Sequence, residues 1–328
     1  MRAILCHAHG GPENLTLDDV PDPVPGPGEI VIRIAAAGVN FADLLMISGK
    51  YYLRPPLPSR TGFEGAGTIS AIGTGVTGWT VGDRVFLARP GCFADYVAVK
   101  AKHVMPIPDG FTMVQAAGLI IGYGTALYAF KYRGKVQPGE TVFISGAGGG
   151  VGTAAIEVAK RLGAVVVAGA GSPEKLAVCA AHGADHLVNY RTENIRDRIK
   201  SLTGGKGYDL FFDCVGDAVF DAALRASAPK ARLLIVGFAG GTAPAIPADY
   251  LLAKNLTVLP VASGADFADS PALAREVVAS LGEMHRKTPF RPEIAAEYPL
   301  EETARALQRL AARNVAGKLV VVTGYNPD

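Results

Sequence analysis

Thr141-Val-Phe-Ile-Ser-Gly-Ala-Gly-Gly-Gly-Val-Gly152 decides the fold. An apolar, β-branched run passes straight into glycines, and Thr153 to Leu162 then has the spacing of an amphipathic helix ending at Gly163. A strand, a tight turn and a helix start, in that order, form a cradle for a dinucleotide pyrophosphate. Glycines let the backbone approach the phosphates, and the unpaired N–H groups of the first helical turn point at the anion. The residues expected at the pyrophosphate are Ala147, Gly148, Gly149, Gly150, Val151 and Gly152.

Downstream of this run, strands and helices alternate. Strands are expected at Val165–Ala168, His186–Val188, Tyr208–Cys214, Arg232–Gly237 and Asn255–Val261, the last at a sheet edge. Helices are expected at Pro173–His182, Asn194–Leu202 and Ala218–Ala226. Such alternation builds a parallel sheet with crossover helices, so the class is α/β with a Rossmann cofactor domain. Residues before about 120 read instead as short strands punctuated by Pro and Gly, among them Glu29–Ala35, Gly67–Ile72, Arg84–Leu87 and Tyr96–Val99. Two helical patterns, Ala272–Lys287 and Leu300–Ala312, precede a closing strand at Lys318–Thr323.

The second strand of a dinucleotide unit usually ends in an acid that binds the ribose 2′-hydroxyl. Val165-Val-Val-Ala-Gly-Ala-Gly-Ser172 has none; Ser172 and Lys175 follow, with Tyr190 and Arg191 after the next strand. A hydroxyl and a cation suit a 2′-phosphate, which a carboxylate would repel, so the expected cofactor is NADPH. Ser172 also suits the N-cap of a helix opening at Pro173, a role compatible with a phosphate contact.

Composition narrows the rest. Of 328 residues, 49% are hydrophobic and 19% charged, enough for about two domains with buried cores. A net charge of +2 gives no case for nucleic acid or an anionic membrane as partner. No apolar run approaches the roughly 18 residues of a membrane span. Cys6, Cys92, Cys179 and Cys214 are scattered without a CxxC pair, as expected of reduced thiols in a cytoplasmic protein.

Seven distinct motifs lie along the chain: Gly38-Val-Asn-Phe-Ala-Asp43, Ser48-Gly-Lys-Tyr51, Gly62-Phe-Glu-Gly-Ala-Gly67, Val81-Gly-Asp-Arg-Val85, Gly122-Tyr-Gly-Thr-Ala126, Ala147–Gly152 and Asn314-Val-Ala-Gly-Lys318. On these the chain resembles the zinc-independent quinone oxidoreductase branch of the medium-chain dehydrogenase/reductase superfamily. The resemblance implies a GroES-like catalytic domain over residues 1–122, an NADPH-binding Rossmann domain over 123–262, and a returning segment, 263–328, that completes the catalytic domain. Zinc alcohol dehydrogenases of the superfamily carry a cysteine and a histidine where this chain has Asn40 and Phe63, and the cysteine-rich lobe is missing. Zinc needs three or four such ligands. The implied reaction is therefore metal-free hydride transfer from NADPH to a quinone or an α,β-unsaturated carbonyl compound. A 2-enoyl thioester reductase and an NADPH-binding protein of little turnover stand as alternatives.

The resemblance also implies site residues. Asn40 lies near the nicotinamide and substrate in relatives, or else forms an Asx turn into a helix at Ala42–Ser48. Tyr51 matches a tyrosine that donates a proton in enoyl thioester reductases, or else packs as a neutral phenol, with Tyr52 its possible substitute. Thr125, Gly237, Phe238 and Asn314 are expected near the cofactor. Lys318 is either a site residue or a lysine snorkelling at a strand start. Glu64 is expected to pair with Arg60 or Arg84, and His103 and His182 are expected at the surface without chemistry. Asn255–Val261 resembles the edge strand through which relatives form homodimers.

Overall fold

The computed structural model describes residues 1–328. The chain folds as two units: Met1–Ile121 with Phe267–Gly282 and Ile294–Asp328, and Gly122–Asp266 with Glu283–Glu293.

The strands of the first unit up to residue 121 are β1 (Arg2–Cys6), β2 (Leu15–Asp19), β3 (Glu29–Val39), β4 (Ser59–Arg60), β5 (Glu64–Ile72), β6 (Arg84–Leu87), β7 (Tyr96–Lys100) and β8 (Val104–Pro106). The second unit contributes β9 (Thr141–Ile144), β10 (Val165–Ala170), β11 (His186–Asn189), β12 (Tyr208–Asp213), β13 (Ser227–Ile235) and β14 (Thr257–Pro260). The chain then returns to the first unit with β15 (Ile294–Pro299) and β16 (Lys318–Val322).

In the first unit the main sheet runs β15-β16-β3-β5-β6-β8, and β7 also pairs with β3. The returning β16 lies antiparallel to β3, with Leu319 opposite Val39. Alternation along β3 sends Ile30, Ile32 and Ile34 into a core shared with Val85, Leu87, Phe93, Val97 and Leu319. The antiparallel run continues to Val39, four residues beyond the expected end, because Ala36, Ala37 and Gly38 are small enough to stay paired with β5.

The second unit is one sheet in the order β11-β10-β9-β12-β13-β14 with every pair parallel. That is the doubly wound Rossmann order, and the order reverses at β9, where such sheets bind ligands at their carboxyl edge. The central strands β9, β10 and β12 are buried on both faces, hence their unbroken apolar runs rather than alternation.

Other boundaries differ from expectation too: β13 begins at Ser227, five residues before Arg232, and β5 at Glu64, three before Gly67. Helix Gly150–Arg161 begins three residues before Thr153, because Gly149 is already its N-cap. Asn255 is not in a strand: it adopts φ 53°, ψ 48° and ends a helix, Ala248–Lys254, which is not among the expected elements. β14, which follows, is an edge strand of its sheet.

Candidate active site

In the second unit, Gly146 (φ +60°) turns the chain at the carboxyl end of β9, and Ala147 is buried with its N–H on the Gly169 carbonyl. A Cβ on Gly152 would lie 2.4 Å from the Gly146 oxygen and 2.5 Å from the Ala147 Cα, so only glycine lets the helix start this close to the turn. No side chain caps helix Gly150–Arg161 and no acid stands in its first turn. Gly150, Val151 and Gly152 therefore present first-turn N–H groups without a competing carboxylate from that turn.

The residues expected at a 2′-phosphate gather beside this turn. A Cβ on Gly148 would lie 2.6 Å from the Lys175 Cβ, so the lysine stem crosses directly over the glycine. A Cβ on Gly171 would lie 3.0 Å from the Tyr190 ring and 3.3 Å from the Arg191 Nε. Ser172 is the N-cap of helix Pro173–Ala181, its hydroxyl accepting from the Lys175 N–H at 3.4 Å. Gly148, Gly171, Ser172, Lys175, Tyr190 and Arg191 thus form one patch that carries two cations. This donor set fits a dinucleotide with an extra phosphate.

Thr125 is buried, with its hydroxyl 2.8 Å from that of Ser263. Gly237 follows β13 and donates to the Asp213 carbonyl, and Phe238 beside it is partly exposed. Asp213 is not among the residues expected from the sequence. It ends β12 fully buried, takes the Ser145 hydroxyl at 2.5 Å, and accepts from the Val215 and Gly216 N–H groups. Burial raises its pKa against these bonds, and together they lock the turns after β9 and β12 to one another. The signal was an acid at the end of an apolar strand.

The first unit holds Asn40, Tyr51 and Asn314. Asn40 is the N-cap of helix Phe41–Ile47 and is buried. Its amide donates to the Gly38 carbonyl at 3.1 Å and Glu64 Oε1 at 3.0 Å, while its oxygen accepts from Lys318 Nζ at 2.5 Å. Both amide hydrogens are spent within the unit. Lys318 Nζ also donates to Glu64 Oε1 at 2.6 Å, and Glu64 Oε2 accepts the Ile121 N–H. The fully buried Glu64 therefore pairs with Lys318, not with Arg60 or Arg84; Arg84 instead reaches the Phe111 carbonyl and Asp328. Nor does Lys318 snorkel, because its ammonium is buried on two oxygens. Gly38 makes room for it: a Cβ there would meet the Lys318 Cε at 2.8 Å and the Ala117 oxygen at 2.5 Å.

Tyr51 follows this helix, half-buried against Tyr52 (ring centroids 4.4 Å) and edge-on to Phe63 (5.4 Å). Burial raises its pKa, and Tyr52 and Asp43 push it further up, so the phenol is neutral across the physiological range. Asn314 is exposed ahead of β16.

His182 is not a surface residue. It is buried in the second unit, with Nδ1 2.8 Å from Glu157 and Nε2 3.1 Å from Glu293. Ionised carboxylates only accept, so this geometry calls for both ring protons. Burial lowers the imidazole pKa, but the two carboxylates outweigh it and the net shift is upward. His103 is partly buried against Arg89.

One unit doubly wound and one β-rich, in a single chain, define a class of two-domain oxidoreductase, and comparison with known proteins agrees. Residues 26–109 match the alcohol dehydrogenase GroES-like domain, and residues 150–279 match the zinc-binding dehydrogenase family. A quinone oxidoreductase-like protein 2 homolog from Nematostella vectensis is 34% identical over 98% of this chain and 89% of its own. A quinone oxidoreductase of Pseudomonas aeruginosa is 33% identical over 96% of this chain and 97% of its own. The crystal structure of Escherichia coli quinone oxidoreductase complexed with NADPH superposes with a TM-score of 0.92 at 28% identity, covering 98% of this chain and 100% of that one. The chain belongs to the quinone oxidoreductase family of the medium-chain dehydrogenase/reductase superfamily.

Proposed function

We propose that this chain is an NADPH-dependent reductase of quinones or α,β-unsaturated carbonyl compounds. The observation that carries the reading is the patch of Ser172, Lys175, Tyr190 and Arg191 around Gly148 and Gly171, where a carboxylate for the 2′-hydroxyl would otherwise stand. The NADPH bound in the Escherichia coli relative supports it. NADPH supplies hydride when bound. Gly148, Gly149, Gly150, Val151 and Gly152, with Ala147 behind them, hold the pyrophosphate, while Lys175 and Arg191 neutralise the 2′-phosphate. Thr125, Gly237, Phe238 and Asn314 are assigned to the remainder of the cofactor.

Tyr51 is assigned as proton donor, because a neutral, half-buried phenol has a proton to give at pH 7. Asn40 shapes this region through its filled amide rather than by donating to substrate. The reading needs no metal: an ammonium already occupies Asn40 and Glu64, and no group of three His, Cys, Asp or Glu side chains is placed to hold an ion. A homodimer through the edge strand β14 is part of the proposal, since an unpaired edge invites a second strand. So is a cytoplasmic setting, consistent with four free thiols. No helix is long and apolar enough to cross a membrane.

Replacing Lys175 with Ala tests the cofactor assignment. Removing one charged contact to a phosphate is expected to weaken NADPH by roughly tenfold or more, about 1.5–3 kcal/mol, and to leave NADH within about twofold. Fluorescence titration of both cofactors measures it. Equal losses would remove the 2′-phosphate from this patch.

A further inference from the structure

We propose that Asp43 is a positioning residue for proton delivery by Tyr51, with Lys318 as the fixed counter-ion of its cluster. The inference rests on the reading of Tyr51 as donor. Asp43 is fully buried in helix Phe41–Ile47, whose end leads into Tyr51 through the Tyr51 N–H to Leu45 bond. Its Oδ2 accepts the Asn40 N–H at 2.7 Å, its Oδ1 completes no hydrogen bond, and the Phe63 N–H also faces the carboxyl. The Phe63 ring in turn stands edge-on to Tyr51.

The groups facing Asp43 are Asn40 and Phe63 through their N–H groups, Glu64 on β5, Lys318 on β16, Tyr51, and the buried thiol of Cys92. Only Lys318 is a cation, and it is committed to Glu64 at 2.6 Å. Lys318 thus answers the Glu64 charge by direct contact and reaches Asp43 only at a distance. Burial pushes it up to about 7 despite the Asn40 N–H and Lys318. When Asp43 is ionised, its charge raises the Tyr51 pKa and makes the phenol a poorer acid. When Asp43 is neutral, the Tyr51 O–H bond breaks more readily. The proton then forms the new C–H bond on the hydride-reduced enone, and the phenolate regains a proton from solvent.

Asp43→Asn keeps the shape and the Asn40 contact but removes the charge. With NADPH and 2-cyclohexen-1-one, wild-type kcat is expected to fall about threefold or more from about pH 6 to about pH 8.5, whereas the variant stays flat. The Kd for NADPH should be unchanged in both. A merely structural role would lower the rate without altering the shape of the profile; an unchanged inflection in Asp43→Asn overturns the proposal.

A second readout needs no turnover. A carboxyl that holds its proton to about 7 when folded, but releases it near 3.8 when unfolded, favours folding on the acid side. Stability is lost as pH rises toward 7 and then levels. The wild-type melting temperature should therefore fall more steeply than that of Asp43→Asn between about pH 5 and about pH 7. Parallel curves overturn the proposal whether or not the enzyme reduces enones. If no enone is reduced but the curves diverge, the Tyr51 donor reading fails while the charge cluster stands.

Discussion

Lys318→Met is expected to destabilise the first unit by about 3–5 kcal/mol, the usual cost of leaving one member of a buried ion pair uncompensated. The fully buried Glu64 would keep only the Ile121 N–H and the Asn40 amide, and Asn40 would lose the donor that fixes its oxygen. Thermal unfolding should show a drop on the order of 10 °C. Adding Glu64→Gln removes the stranded charge and should restore at least half of the loss, because a neutral amide still accepts from Ile121. If Lys318→Met melts with wild type, the ammonium is not the keystone of this cluster.

Gly152→Ala should act on the second unit with comparable force. The added carbon meets backbone on both sides, the Gly146 oxygen at 2.4 Å and the Ala147 Cα at 2.5 Å, with no flexible side chain to give way. The helix start must then move off the turn, carrying the Gly150 to Gly152 N–H groups away from the pyrophosphate. NADPH binding is expected to weaken by about a hundredfold, roughly 2.7 kcal/mol, with about 1–3 kcal/mol lost in stability from overpacking. Isothermal titration against NADPH, together with chemical unfolding, separates the two losses. Wild-type affinity in Gly152→Ala would show that this approach is not needed for the cofactor.

These two residues also mark what a sequence reveals. Gly152 was legible because close backbone approach demands glycine, and the β-branched run before it and the helical run after it define strand and helix locally. The same local grammar brought out β6, β10 and most of the Rossmann strands. For Lys318 the sequence leaves the choice between site residue and snorkelling lysine open, because its partners Asn40 and Glu64 lie 278 and 254 residues away. A lysine at a strand start looks the same whether its ammonium reaches water or a buried carboxylate. His182 was misplaced for a related reason, since Glu157 and Glu293 come from 25 and 111 residues away. Asn255 hid a helix because a left-handed cap and a strand start share a polar residue before an apolar run. Arg191 was noted in the sequence, but only the packing around Gly171 brings it to the candidate phosphate patch.

The central claim is that this chain turns NADPH over rather than merely holding it. The direct measurement is steady-state oxidation of NADPH with 1,4-benzoquinone, followed by loss of the near-ultraviolet absorbance of the reduced nicotinamide, with NADH run in parallel. The expected result is saturable, quinone-dependent turnover of at least about 1 s⁻¹ with NADPH, at the low end of the ordinary enzyme range. With NADH, kcat/KM is expected to be about tenfold lower or worse, a difference of roughly 1.4 kcal/mol. Tight NADPH binding without quinone- or enone-dependent oxidation would contradict the account.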